Sequence, residues 1–198
     1  MTTLSVTDRV PGDEPASPVF HFDLGSPEAY LAAERVLQVM PVATPWVPVL
    51  ARDLGGPPQT PDREELAARA AAAGLQPVRW PEPFPFDSEL AMLAATYARS
   101  IGRVVAFSLA AFRQAFAGGR ALDAQDGVVI AGAACEMHPK ALLAGCATRS
   151  TRDALARETA LAAEHGVRSV PAVRMPDGRV FEGPECLERA AAAAGSAA

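Results

Sequence analysis

A serine placed where a strand turns into a helix can hold a negative charge, and residues 20–31, FHFDLGSPEAYL, put Ser26 at such a point. Phe20, Phe22 and Leu24 alternate as the buried side of a short strand over residues 19–24. Gly25 supplies a sharp turn, Ser26 takes the N-cap position, and Pro27 takes the first helical position. A polar side chain delivered to the unpaired N–H groups of a helix start makes a site for an anion.

Other reactive residue types are scattered. Cys135, Cys146 and Cys186 show neither a CxxC nor a metal-ligand spacing, and His21, His138 and His165 are equally dispersed, so no metal site is expected. Three cysteines without a secretory signal fit reduced thiols in the cytoplasm. Cys186, in an expected terminal helix, reads as a half-buried small hydrophobe.

The elements that must position Ser26 follow from the pattern of the chain. The helix begun at Pro27, with Tyr30, Leu31, Val36 and Leu37 inward, should end before Pro41. Residues 42–50 return to extended character, and Pro45 and Pro48 suit an edge or irregular strand. Strand, helix, strand implies a parallel pair with a right-handed crossover. Gly55-Gly56-Pro57-Pro58 closes this unit as a loop.

From there to Ser150 no strand pattern occurs. Helices are expected from residues 61–65 to Gly74, from an Asp87-Ser88 cap to Ser100 or Ile101, over 103–117, over 126–136 and over 139–145. The third of these should bury Val104, Phe107, Leu109, Ala111, Phe112 and Phe116. Trp80-Pro81-Glu82-Pro83-Phe84-Pro85-Phe86 has too many prolines for regular structure, and its aromatics must pack as an ordered loop. Ser150 or Thr151 should cap a helix to His165, stopped by Gly166. Two short strands around Pro176-Asp177-Gly178 make a hairpin, and a last helix is expected from Pro184, at N1, to about Ala194. The sequence thus reads βαβ, an all-α insertion, then αββα: an α/β chain with a thioredoxin-like fold interrupted by helices. Residues 19–56 and 150–196 form the thioredoxin-like part and 57–149 the helical insertion. Residues 1–18, acidic and rich in Pro and Ser with no basic start or apolar core, read as a disordered tail rather than a signal.

Composition narrows the partners. Hydrophobic residues make up 49% of the 198, enough for a real core, and Ala runs favour helices. The net charge is −5 and Lys140 is the single lysine, which argues against nucleic acid, since phosphate neutralisation needs clustered cations. Isolated arginines such as Arg79 and Arg99 read as solvated surface charges. Apolar stretches are interrupted well before the ~20 residues a membrane span needs.

Residues 20–31, Phe84-Pro85-Phe86-Asp87-Ser88 and residues 166–187 (GVRSVPAVRMPDGRVFEGPECL) resemble, in order and spacing, the DsbA-like branch that holds 2-hydroxychromene-2-carboxylate isomerases and kappa-class glutathione transferases. The resemblance covers about residues 19–193. Disulfide oxidoreductases of this fold carry Cys-x-x-Cys where this chain has Ser26-Pro27-Glu28-Ala29, so dithiol–disulfide exchange is not expected here. In the isomerase and transferase branch a serine at this place hydrogen-bonds the sulfur of bound glutathione, which implies Ser26 as the catalytic residue. Glu28, one turn inside, should raise the pKa of such a thiolate. Val170-Pro171 matches the branch's cis-proline, whose preceding backbone pairs with a thiol peptide; an edge-strand or turn proline is the alternative.

Gly183 and Glu185 fall where the branch places an acidic residue at a helix start to meet the γ-glutamyl amine; Glu185 could equally be a favourable first-turn charge. The loop 55–61, GGPPQTP, lacks the Asn and Lys that grip the glycyl carboxylate in the family, and Arg63 is the nearest cation. The resemblance implies glutathione or another low-molecular-weight thiol as cofactor and a small-molecule electrophile as substrate. Trp46, Trp80, Phe84 and Phe86 are candidate lining of the substrate pocket or, alternatively, plain core. A cytoplasmic thiol-dependent isomerase or transferase, possible as a homodimer, is one expectation. A non-catalytic thioredoxin-fold binding protein that has lost its thiol site is the other.

Overall fold

The computed structural model describes residues 17–57 and 60–195. The expected tail therefore lies almost wholly outside the described residues, as do Pro58 and Gln59 of the 55–61 loop. Four strands form one sheet in the order β2-β1-β3-β4. β1 (Val19–Phe22) and β2 (Trp46–Pro48) are parallel, with Phe20 opposite Trp46 and Phe22 opposite Pro48. β1 and β3 (Ala172–Arg174) are antiparallel, His21 facing Ala172, and β3 closes a hairpin with β4 (Val180–Glu182). β2 is an edge strand, the place where Pro45 and Pro48, without N–H donors, cost no ladder bond.

The period-two alternation of β1 divides the core. Phe20, Phe22, Trp46 and Val173 face one way, where Phe22 meets Phe112 at 5.9 Å between ring centroids. α1 (Pro27–Ala33) and α9 (Cys186–Gly195) pack on this side. Val19, Val47, Val49, Val170 and Ala172 face the other way, against Ala162 of α8 (Arg149–Glu164). Among the described residues, nothing between β2 and β3 is strand. That stretch holds α3 (Arg63–Ala72), α4 (Glu89–Ser100), α5 (Val104–Phe112), α6 (Gln125–Ala133) and α7 (Pro139–Ala147). The 77–88 region is an ordered loop, with cis bonds at Glu82-Pro83 and Phe84-Pro85.

Several local expectations shift. The first helical segment does end before Pro41, but it breaks at Glu34 and Arg35 and restarts as α2 (Val36–Val39), and Leu37, expected inward, is exposed. Tertiary ion pairs hold both breaking residues, Glu34 to Arg113 at 2.7 Å and Arg35 to Glu188. The expected 103–117 helix is α-helical only to Phe112 and then widens into a π turn over Arg113–Ala117; Val104 and Leu109 are half-buried rather than buried. Thr148, not Ser150 or Thr151, caps α8, its Oγ1 accepting the Thr151 N–H at 3.2 Å. α9 starts at Cys186 rather than Pro184, because Gly183 (φ +79°) and Pro184 form a turn that ends with the Cys186 N–H on the Gly183 carbonyl. Cys186 is fully buried.

His21, on the α8 side of β1, is 4% exposed and neither ring nitrogen has a hydrogen-bond partner. Burial, with Arg174 as the next cause, lowers its pKa to about 3. The unfolded chain therefore binds more protons below pH 6.5, and the contribution of a neutral His21 is complete above pH 6.5 and lost as the pH falls toward 3. Denaturant unfolding of wild type and His21→Leu from pH 7 to pH 4 should show the wild type losing extra stability, by up to about 1.4 kcal/mol per pH unit. Parallel pH profiles for the two proteins would refute this.

Candidate functional site

β1 ends at Phe22, and the next residue fixes everything that follows. Asp23 is 5% exposed, and its carboxylate is spent on three segments. Oδ1 accepts the Gly25 N–H at 2.8 Å, which sets the turn before Ser26. Oδ2 accepts the Ala51 N–H at 2.9 Å, on the loop after β2. The Ser88 hydroxyl of the helical insertion adds a further hydrogen bond. Burial pushes the Asp23 pKa up, against the pull of the Ala51 and Gly25 N–H groups and of Ser88. Gly25 has no room for a side chain, since a Cβ there would stand 3.2 Å from Ser88 Cβ and 3.3 Å from Asp23 Oδ1.

That commitment explains why Ser88 makes no cap hydrogen bond at the start of α4. Asp87 does so instead, accepting the Glu89 N–H at 3.0 Å. Arg52 then bridges Asp87 at 3.0 Å and Glu89 at 2.5 Å, so the start of α4 is tied to the loop after β2.

Ser26 is the N-cap of α1. Its Oγ accepts the Ala29 N–H at 3.1 Å, its own N–H donates to the Asp23 carbonyl at 3.0 Å, and it is half-buried. An accepting oxygen leaves the hydroxyl proton free to donate outward. β3 reaches the same end of the sheet: one step beyond the His21–Ala172 pair, the register sets Phe22 opposite Pro171. The Val170-Pro171 bond is cis. Among the described residues, neither the N–H nor the carbonyl of Val170 has a hydrogen-bond partner.

A chain of contacts links the remaining expected site residues. The Pro171 carbonyl accepts the Gly183 N–H at 2.9 Å. Next to Gly183, the Pro184 carbonyl lies 3.5 Å from Arg69 Nη2, and Arg69 Nη1 meets Glu28 Oε2 at 2.6 Å. Ser26, Pro171, Gly183 and the start of α9 are thus drawn to one end of the sheet, with Arg69 of α3 between them. Glu185 is exposed there, and no ion pair holds it among the described residues. Glu28, expected to raise the pKa of a nearby thiolate, is neutralised by Arg69 instead. The 55–61 loop adjoins the same end, since a Cβ on Gly56 would stand 2.0 Å from the Arg168 carbonyl oxygen.

The aromatic candidates separate. Trp46 is 2% exposed and packs edge-on against Phe20 at 5.1 Å and Phe22 at 5.7 Å, so it belongs to the core. Trp80, Phe84 and Phe86 are half-buried, with Trp80 edge-on to Phe84 at 4.8 Å and both phenylalanines against Phe116. Phe116 stacks on Tyr30 at 5.8 Å. Tyr30 also lines a cavity of about 500 Å³ with Glu34, Leu75, Gln76, Arg113 and Gln114. Tyr30 lies four residues after Ser26, and Ser26 is not among the residues that line this cavity. Burial, and secondarily the Glu34 carboxylate, raises the Tyr30 pKa and keeps it a hydrogen-bond donor.

Asp23, Tyr30 and Arg69 were not singled out from the sequence as functional. An acidic residue between Phe22 and Leu24 was the signal for the first, and the four-residue spacing from Ser26 for the second. The cysteines are all buried, and burial pushes Cys146 up to about 11 and Cys186 up to about 12. Among the described residues no group of His, Cys, Asp or Glu could hold a metal ion, and no helix is long and apolar enough to cross a membrane.

Solved structures place this architecture. A 2-hydroxychromene-2-carboxylate isomerase superposes with a TM-score of 0.80 at 18% identity, covering 91% of this chain and 95% of that one. The chain shares the DsbA-like thioredoxin fold of that protein. A probable DsbA oxidoreductase from Streptomyces coelicolor matches at TM-score 0.73 and 19% identity, over 91% of this chain and 88% of that one. The cytosolic disulfide reductase DsbM from Pseudomonas aeruginosa, solved with GSH, matches at 0.60 and 14%, over 91% and 98%. No family model and no curated protein matches the sequence.

Replacing Asp23 by Ala leaves the Gly25 and Ala51 N–H groups without their acceptor. Unfolding free energy should fall by about 1–3 kcal/mol, the scale of losing two hydrogen bonds from part-buried donors to a carboxylate. Asp23→Asn, which keeps an acceptor oxygen, should lose less. Wild-type stability in Asp23→Ala would show that the carboxylate does not hold this end of the sheet.

Proposed function

We propose that the chain is a thiol-dependent isomerase or transferase of the 2-hydroxychromene-2-carboxylate isomerase and kappa-class type, not a disulfide oxidoreductase. The observation that carries the reading is Ser26. It occupies the first turn after β1 with its hydroxyl proton free, at the end of the sheet that the buried Val170-Pro171 turn also reaches. A small thiol, glutathione or another, would lie extended against Val170 with its sulfur on Ser26. A hydrogen bond to the sulfur favours the thiolate and lowers its pKa.

The bound thiolate is then the nucleophile. It adds to an unsaturated, electron-poor carbon, the former double bond becomes free to rotate, and the thiolate leaves with its electron pair to give the isomer. With a leaving group on that carbon, the same addition ends in transfer of the thiol. Neither course oxidises or reduces the protein. Half-buried Phe84 and Phe86, set against Phe116 under the helical insertion, support an electrophile with an apolar part. Redox chemistry has no support, since no sulfur stands at residues 26–29 and Cys146 and Cys186 are buried thiols with raised pKa values.

Arg63, the next cation in sequence after the 55–61 loop, has its guanidinium carbon 4.4 Å from the Trp80 ring centroid. That favours, as a second reading, a non-catalytic binding protein whose thiol site is lost. Calorimetry with small thiols separates the two readings, because saturable binding weakened by Ser26→Ala supports the first and no binding supports the second. For the enzyme, Ser26→Ala should lower turnover about tenfold or more by removing the sulfur's donor. It should also cost about 1 kcal/mol of stability through the lost cap. An unchanged turnover would remove Ser26 from the mechanism.

A further inference from the structure

The charges around the proposed thiol site are already paired in a way that restricts what can enter it. Two cations follow the 55–61 loop on α3. Arg63 lies over Trp80, with its guanidinium carbon 4.4 Å from the ring centroid. Arg69 points to the start of α1, and both terminal nitrogens of its fork are occupied, Nη1 by Glu28 Oε2 at 2.6 Å and Nη2 by the Pro184 carbonyl at 3.5 Å. Those two nitrogens form one of the two edges with which a guanidinium grips a ligand carboxylate in two-point fashion. The pair is largely sheltered, Arg69 at 25% and Glu28 at 19% side-chain exposure, so salt screens it less than a surface pair.

The next cation, Arg168, beside the Val170 turn, donates to the backbone carbonyls of Ala163 and Val167. Glu185, by contrast, is exposed and carries no ion pair among the described residues. At this end of the sheet the Arg69 charge is paired with Glu28, the Arg168 guanidinium is turned to backbone carbonyls, and Glu185 is an anion without an ion pair among the described residues.

We propose that Glu28, by holding Arg69, makes this site select a low-molecular-weight thiol without carboxylates, one that presents an amine or neutral polar groups, over glutathione with its two carboxylates. The inference rests on the thiol-dependent reading above and adds the ligand class. A carboxylate brought to Arg69 must displace Glu28 from a sheltered pair, and it then stands beside Glu28, Glu185 and the thiolate itself. An ester or amine at the same place meets no such opposition, and an amine finds Glu185.

The test uses glutathione and glutathione diethyl ester, which share the cysteinyl core and differ in their carboxylates, titrated by calorimetry into the full chain. Wild type should bind the diester more tightly than glutathione by roughly fivefold or more, the scale of one charge-assisted contact. Glu28→Gln frees Arg69 and should shrink or reverse that ratio by a similar factor, mainly by tightening glutathione. Arg69→Gln, which strips Glu28 of its partner, should widen it. These opposed shifts are not what a general loosening of the fold would give, and thermal melts of each variant confirm that it is folded. A wild-type preference for glutathione, or one ratio common to all three proteins, overturns the proposal while leaving the thiol-dependent reading in place. Binding of neither thiol by any of the three overturns both.

Discussion

The carboxylate of Asp23 is the joint on which this structure turns. A charged group in the interior is retained only when donors surround it, and here the donors come from three separate parts of the chain: Gly25 in the turn before Ser26, Ala51 after β2, and Ser88 in the insertion. The arrangement fixes the direction in which α1 leaves the sheet, and it docks the helical insertion over the same end. Arg52 repeats the connection on the surface through Asp87 and Glu89. The Phe84-Pro85-Phe86-Asp87-Ser88 stretch owes its place to this joint, with Phe84 and Phe86 set against Phe116 while Ser88 reaches Asp23.

The second connection is Arg69. It joins α1 through Glu28 to the turn before α9 through the Pro184 carbonyl. Together with the bond from Gly183 to the Pro171 carbonyl, it gathers segments far apart in sequence around Ser26. Hydroxyl, unpaired backbone and neutralised acid then stand together without a reactive cysteine among them. Such a site suits the binding of another molecule's thiolate, and its electrostatics set which thiol that can be.

Much of this was legible in the sequence because local rules and tertiary context agree. The alternation of Phe20, Phe22 and Leu24, the Ser-Pro helix start, the prolines of an edge strand and the Pro-Asp-Gly hairpin are short-range signals, and each fixes a strand of the observed sheet or the start of α1. Where distant partners decide, the sequence was silent. The break between α1 and α2 has no proline or glycine; it falls where Glu34 meets Arg113 and Arg35 meets Glu188. Ser88 fits a helix cap by type, yet its hydroxyl is taken by Asp23. Trp46 could have lined a pocket as well as a core, and only the pairing of β1 with β2 buries it between strand aromatics. Arg69 is one arginine in an alanine-rich helix, and nothing local ties it to Glu28.

The central claim is that Ser26 cradles the sulfur of an exogenous thiol against the Val170-Pro171 turn. A crystal structure of the protein soaked with a small thiol tests it most directly. The account predicts a sulfur within hydrogen-bonding distance of Ser26 Oγ, with the thiol's backbone amide paired to Val170. A thiol bound elsewhere, or linked as a mixed disulfide to Cys135, Cys146 or Cys186 with Ser26 untouched, would contradict it.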